Sequence, residues 1–218
     1  MLFEQRFGAR EIKFLVSPDR AEQVRIWARS RLAPDPNAGC GGDTYRVTSL
    51  YFDTACFDVF HAHGSYGRAK YRVRRYDDAL TVFVERKMRT ESLVSKRRAL
   101  IGLDEIPGVG GWFRRRLDAR RLQPVCSITY LRTALIGRQG ERLTIDDQLF
   151  SDRVDAFTMG EPSRGIRIAA AHQILELKYL GEMPALFKEL LETFPLHRTA
   201  VSKYRTAAAE LGLAAKHA

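Results

Sequence analysis

Charged side chains recur at every second residue through several short stretches of this chain, with apolar residues between them, and that period restricts the folds open to it. Successive side chains of a β-strand point to opposite faces, so residues two apart share one face. In Lys70-Tyr71-Arg72-Val73-Arg74 the cations therefore line one face, with Tyr71 and Val73 on the other. Glu11 and Lys13, Glu85 and Lys87, Glu176 and Lys178, and the series Arg142, Thr144, Asp146 repeat the pattern. In a single strand such alternation describes the solvated face of a half-buried sheet. Repeated across so many strands it predicts a concave charged interior, with Ile12, Tyr71, Val73, Val84, Leu143, Ile145 and Leu177 packed outward under helices.

Strands are expected over Ala9–Val16, Tyr45–Asp53, Ala69–Tyr76, Leu80–Lys87, Leu93–Leu100, Val125–Ile136, Glu141–Asp146 and Ile174–Leu180. Asp77-Asp78 and Gly137-Arg138-Gln139-Gly140 are short hairpin-type connections, which favour antiparallel neighbours. A helix is expected from Pro18 to about Leu32, with Ser17 as N-cap and Ala21, Val24, Trp27 and Ala28 on one face. Asp35 to Gly42 reads as a loop. Two further helices are expected, over Pro184–Phe194 and over Ser202–Lys216 with Ser202 as cap. The class is α+β: a closed or nearly closed antiparallel β-barrel of about eight strands with flanking helices, closure removing edges that so large a sheet otherwise exposes. A length of 218 residues suits one domain spanning 1–218.

Lys and Arg exceed Asp and Glu by 36 to 26, a formal charge of +10, so an anionic partner is the first expectation. No apolar run approaches the ~20 residues needed to cross a bilayer. The start, Met1-Leu2-Phe3-Glu4-Gln5-Arg6-Phe7, lacks the pattern of a secretory signal, so a cytoplasmic location without direct membrane insertion is expected. Cys40, Cys56 and Cys126 are widely separated and read as reduced structural thiols. The histidines His61, His63, His172, His197 and His217 show no metal-ligand spacing, although His61 and His63 could share a strand face. Arg114-Arg115-Arg116, Arg120-Arg121 and Lys96-Arg97-Arg98 could serve nucleic acid, but no DNA or RNA motif accompanies them. Arg114–Arg121 reads as a solvated helix face, whereas Lys96 and Arg98 alternate and could reach the interior.

A face lined by so many cations repels itself unless an anion occupies it. Phosphate meets that need, since Arg holds it bidentately and Lys acts as a point charge. A carboxylate in that company suits Mg²⁺ or Mn²⁺, hard ions that bridge one or two carboxylates to substrate phosphates.

Along the chain, Glu11-Ile12-Lys13-Phe14, Ser49-Leu50-Tyr51-Phe52-Asp53-Thr54, Lys70-Tyr71-Arg72-Val73-Arg74, Val84-Glu85-Arg86-Lys87, Tyr130-Leu131-Arg132, Arg142-Leu143-Thr144-Ile145-Asp146, Glu176-Leu177-Lys178 and Ser202-Lys203-Tyr204 follow in a fixed order. In that order the chain resembles the polyphosphate polymerase (VTC) domain of the triphosphate tunnel metalloenzyme superfamily, whose relatives include CYTH-type triphosphatases. The resemblance implies a tunnel whose cations hold a phosphate chain, and transfer of the terminal phosphoryl group of ATP, or another nucleoside triphosphate, onto growing polyphosphate with Mn²⁺ or Mg²⁺. Carried over residue by residue, it implies that Lys13, Arg72, Arg74, Lys87, Arg132 and Arg142 bind phosphates. It also implies that Glu176 holds the metal with Glu11 and Glu85 as helpers, and that Lys70, Lys178, Ser202 and Lys203 touch substrate. Ala9 stands where the CYTH-type pattern carries a further carboxylate, a departure that favours the polymerase branch over a two-metal hydrolase. Two other readings stay open: a tunnel triphosphatase, and a non-catalytic module for polyphosphate or inositol phosphates. Any link to a membrane would run through another protein.

Overall fold

The computed structural model of the protein describes residues 4–6, 9–36, 38, 42–89, 94–106, 108, 111–160, 162 and 164–214. Among the described residues eleven strands form one antiparallel sheet: β1 Glu4–Arg6, β2 Ala9–Val16, β3 Ala33–Pro34, β4 Thr44–Asp53, β5 Ala69–Tyr76, β6 Thr81–Arg89, β7 Val94–Gly102, β8 Gln123–Ile136, β9 Arg142–Arg153, β10 Ile166–Arg167 and β11 Gln173–Leu180. The neighbours run β1-β7-β6-β5-β4-β8-β9-β11-β2, with β3 added to β8 and β10 to β9. The ends of this order, β1 and β2, are consecutive in the chain. The sheet curls enough for Lys87 of β6 to reach Glu11 of β2, with five strands between them in the order. On its outer edge β2 is further covered by the bridge of Arg198 to Phe14 and by the Thr199 N–H, which donates to the Lys13 carbonyl at 2.9 Å.

Helices α1 (Pro18–Arg29), α2 (Asp58–His61), α3 (Gly111–Ala119), α4 (Ala185–Thr193) and α5 (Lys203–Glu210) flank this sheet. Ser17 caps α1, its hydroxyl accepting from the Arg20 N–H, and Pro18 occupies the first turn, where a missing N–H costs nothing. The apolar stripe Ala21, Val24, Trp27 and Ala28 of α1 joins Phe187 and Leu190 of α4 over the outward side chains Phe14, Leu143, Ile145, Leu175 and Leu177. A second outer core gathers Leu50, Phe52, Tyr71, Val73, Val84 and Ala99 under Phe113 and Leu117 of α3. Apolar burial, the main favourable term in folding, is thus satisfied outside the barrel, which leaves the inner face free to be polar.

The eight long strands and the helices α1 and α4 fall where the sequence predicts them, while β1, β3, β10 and α2 are additional and short; α5 starts after the predicted cap Ser202 but ends at Glu210, with a turn over 211–214, short of the predicted Lys216. One strand runs further than its pattern suggests. The strand expected to end at Asp146 continues, the register of β8 and β9 shifting between Thr129 and Leu131 and Gln148 adopting a positive φ of 50°. This bulge breaks the period-two signal and lets β9 continue to Arg153. His61 ends α2 and His63 follows it, so the two share no strand; their rings stack at 5.3 Å instead. Cys40 and His217 lie outside the described residues, as does the end of the predicted last helix from residue 215.

Candidate active site

The strand registers settle which side chains meet inside the barrel. Tyr51 pairs with Arg72 and Ser49 with Arg74 between β4 and β5; Arg72 pairs with Glu85 and Lys70 with Lys87 between β5 and β6. Lys87 pairs with Lys96, Arg132 with Asp146, Thr144 with Glu176, Arg142 with Lys178, Glu176 with Lys13, and Lys178 with Glu11. All of these share the inner face. The alternation read from the sequence is therefore the alternation of the barrel.

Contacts cross the lumen as well as neighbouring strands. The Lys87 ammonium, on β6, contacts the Glu11 carboxylate on β2, and Lys178 approaches the same carboxylate at 3.9 Å. Lys13 Nζ lies 3.3 Å from Glu176 Oε2. Glu85 sits between Arg72, whose Nε donates to Oε2 at 2.6 Å, and Lys96, which contacts Oε1. Arg132 grips Asp146 with two hydrogen bonds of 2.6 and 2.8 Å, and Lys203 reaches the same carboxylate at 2.5 Å. Arg74 is buried and donates to Ser49 and Tyr130. Arg142 lies 2.8 Å from Asp35 and donates to the Tyr45 hydroxyl at 2.7 Å.

Helix α5 brings Ser202 and Lys203 to this lumen. Ser202 caps the helix, Tyr204 stacks on Tyr51 at 5.6 Å, and the Tyr204 hydroxyl donates to Asp53, which also accepts from the N–H groups of Val59 and Phe60 at 2.8 and 2.9 Å. Asp53 thus ties β4, the start of α2 and α5 together. Ser202 Oγ accepts a 2.7 Å hydrogen bond from Lys70.

The lumen's charge is uneven. Burial opposes ionisation of Glu176, but Lys13, Lys87, Arg132 and Lys203 hold its carboxyl well below the usual carboxylate range. Asp146, equally opposed by burial, is held at about 2 by Arg132 and Lys203. Glu85 is lowered against its burial by Arg72, Lys96 and Arg74. Lys13 is raised by Glu176. Lys70 differs: burial, then repulsion from Lys13, Arg205, Lys87 and Arg72, pushes it down to about 7. Among the described residues no carboxylate lies within ion-pair distance of it. Burial likewise lowers Lys96 to about 8, although Glu85 pulls the other way.

The donors for a divalent ion are limited. Among the described residues no three His, Cys, Asp or Glu side chains gather into a metal cluster. Glu85 is separated from Glu176 by four strands along the sheet, β5, β4, β8 and β9, and is occupied by two cations. Glu11 stands diagonal to Glu176 on the same face. Thr144 Oγ1, opposite Glu176, is buried without a hydrogen-bond partner among the described residues. Such a set of hard oxygen donors fits an ion that takes the rest of its shell from water and phosphate.

Several lumen groups had no role in the sequence reading. Lys96 carried the alternation signal alone; Asp146 was visible as an inward residue but not as the partner of both Arg132 and Lys203; Asp35 sits in a loop, where no period marks it.

The same architecture recurs in solved structures of low sequence identity. One is HpAC1 of Hippeastrum, described as having a dominant triphosphatase activity, at a TM-score of 0.55 and 17% identity over 94% of this chain and 96% of that one. Others are PH1819 of Pyrococcus horikoshii, at 0.55 and 13% over 93% and 99%, and a candidate adenylate cyclase of Bacillus halodurans, at 0.55 and 16% over 89% and 95%. No protein of curated function matches the sequence. A curled antiparallel sheet with an inner face of this charge is a triphosphate tunnel fold. The VTC domain family matches residues 8–211, and the chain belongs to that family.

Proposed function

We propose that the protein is a metal-dependent polyphosphate polymerase that transfers the terminal phosphoryl group of ATP, or another nucleoside triphosphate, onto a growing polyphosphate chain within its lumen. The observation that carries this reading is Lys70, a half-buried ammonium set among Lys13, Lys87 and Arg72 with only the Ser202 hydroxyl as hydrogen-bond partner among the described residues. An anion that joins it there offsets both its desolvation and the repulsion from its cationic neighbours.

Phosphoryl transfer needs positioning and charge neutralisation rather than a protein nucleophile. In this reading Lys13, Lys70, Arg72, Lys87 and Lys178 contact the phosphates. Arg74, Arg132 and Arg142, already held by Tyr130, Asp146 and Asp35, add fixed positive charge behind them. Ser202 and Lys203 close over the chain from α5, and Lys203 can turn from Asp146 to a phosphate oxygen. Glu176, aided by Glu11 and Thr144, would hold Mg²⁺ or Mn²⁺, which when bound supplies charge neutralisation at the transferring phosphoryl group. Lys13 balances Glu176 until then.

The Hippeastrum neighbour's triphosphatase activity supports a second reading, hydrolysis of triphosphate in the same lumen. Incubation of the purified protein with ATP and Mn²⁺, with products resolved on a gel for polymer and by colorimetry for orthophosphate, separates the two. Polymer supports the polymerase; orthophosphate alone supports the hydrolase; neither product, with tight oligophosphate binding retained, marks a binding module.

A further inference from the structure

The outer wall carries a second concentration of guanidinium groups that the lumen chemistry does not use. On β7 successive residues face opposite ways, so Lys96 points into the lumen and Arg97 points out. Arg97 lies over the Trp112 ring at 4.5 Å, and with Arg115, Arg116 and Ala119 of α3 it lines a groove of about 340 Å³. Among the described residues no carboxylate lines this groove. Arg115 and Arg116 are exposed, and neither has an ion pair among the described residues; the acid of the helix, Asp118, is taken by Arg114 at 2.9 Å. Arg86 extends the cationic surface, paired with Arg97 in register on the same outer face.

We propose that this groove is a second oligophosphate-binding site, taking the part of a long inorganic polyphosphate chain that lies outside the lumen. The proposal rests on the polyphosphate reading of the lumen. Arg115 and Arg116, exposed and without an ion pair among the described residues, repel one another beside the groove, and phosphate oxygens relieve that repulsion while matching the planar fork of each. Stacking on Trp112 fixes the Arg97 fork in advance. That stacking also argues against single-stranded nucleic acid, which binds through open aromatic faces: Trp112 is 8% exposed, covered by Arg97 on one side and packed edge-on against Phe113. The two cationic surfaces lie back to back on β7. Tripolyphosphate is too short to occupy both, and a long chain that does so gains from joining two sites.

The test compares tripolyphosphate with long-chain polyphosphate by calorimetry over a range of salt, using wild type, Arg115→Ala/Arg116→Ala and the lumen variant Lys13→Ala/Lys87→Ala, with circular dichroism to establish folding. The groove variant is expected to lose about tenfold in long-chain affinity and to reduce the salt slope by about 1.4, the value for two lost phosphate contacts on a single strand. Its tripolyphosphate affinity should equal that of wild type. Unchanged long-chain affinity and slope would overturn the proposal, as would single-stranded RNA of equal phosphate number competing as well as polyphosphate. A tripolyphosphate affinity indifferent to the lumen variant would instead overturn the lumen reading, while the long-chain comparison still judges the groove.

Discussion

Replacing Lys70 with Met should stabilise the free protein and weaken its hold on phosphate at the same time. The Lys70 ammonium has its pKa pushed from 10.5 to about 7, first by burial and then by Lys13, Arg205, Lys87 and Arg72. A base whose folded pKa lies below its unfolded one costs stability; the cost is present in full below about pH 7 and fades as pH rises toward 10.5. At pH 6 a shift of this size corresponds to about 5 kcal/mol. Methionine forfeits the hydrogen bond to Ser202, worth about 1 kcal/mol, leaving a net gain on the order of 2–4 kcal/mol. For a domain of this length that raises Tm by about 4–16 °C in thermal unfolding without ligand. Bound phosphate should return the Lys70 pKa toward its ordinary value, so tripolyphosphate binding at pH 8 should take up close to one proton, read from calorimetry in buffers of different ionisation enthalpy. The Met variant should show no such uptake and bind more weakly. A variant that is less stable than wild type at pH 6, with proton uptake unchanged, would refute the argument.

Glu85→Gln leaves Arg72 and Lys96 buried without their shared counter-charge and should cost about 3–5 kcal/mol at pH 7 in denaturant unfolding. Because the folded Glu85 carboxyl is depressed below its unfolded value of 4.5, that difference should shrink as pH falls below 4.5; a constant difference would exclude the ion pairs as its cause. Phe187→Ala, in the outer core against Tyr179, should cost about 3–5 kcal/mol while leaving the tripolyphosphate Kd of the folded protein unchanged. Glu176→Ala removes the counter-charge of Lys13, so metal-free oligophosphate binding should be retained while divalent-dependent turnover is lost; undiminished turnover would remove Glu176 from the metal assignment.

Much of this geometry was legible because a strand's period of two is rigid. Once Lys70, Arg72 and Arg74 alternate with Tyr71 and Val73, one face must be apolar, and covering helices decide that it is the outer one. The same logic placed Glu11, Lys13, Glu176 and Lys178 side by side. Sequence could not give the partners across the lumen: that Lys87 meets Glu11 depends on how far the sheet curls, which no local pattern encodes. Nor could it separate Glu85 from Glu176, since both follow the same Glu-x-Lys pattern and only strand order sets them on different walls. Where a bulge broke the period, at Gln148, the strand vanished from the pattern.

The most direct test of the account is a crystal structure of the protein with a non-hydrolysable ATP analogue and Mn²⁺. The account predicts phosphate oxygens within about 3 Å of Lys13, Lys70, Arg72 and Lys87, and an anomalous manganese peak beside Glu176. Phosphates confined to the outer wall, or manganese held away from Glu176, would contradict it.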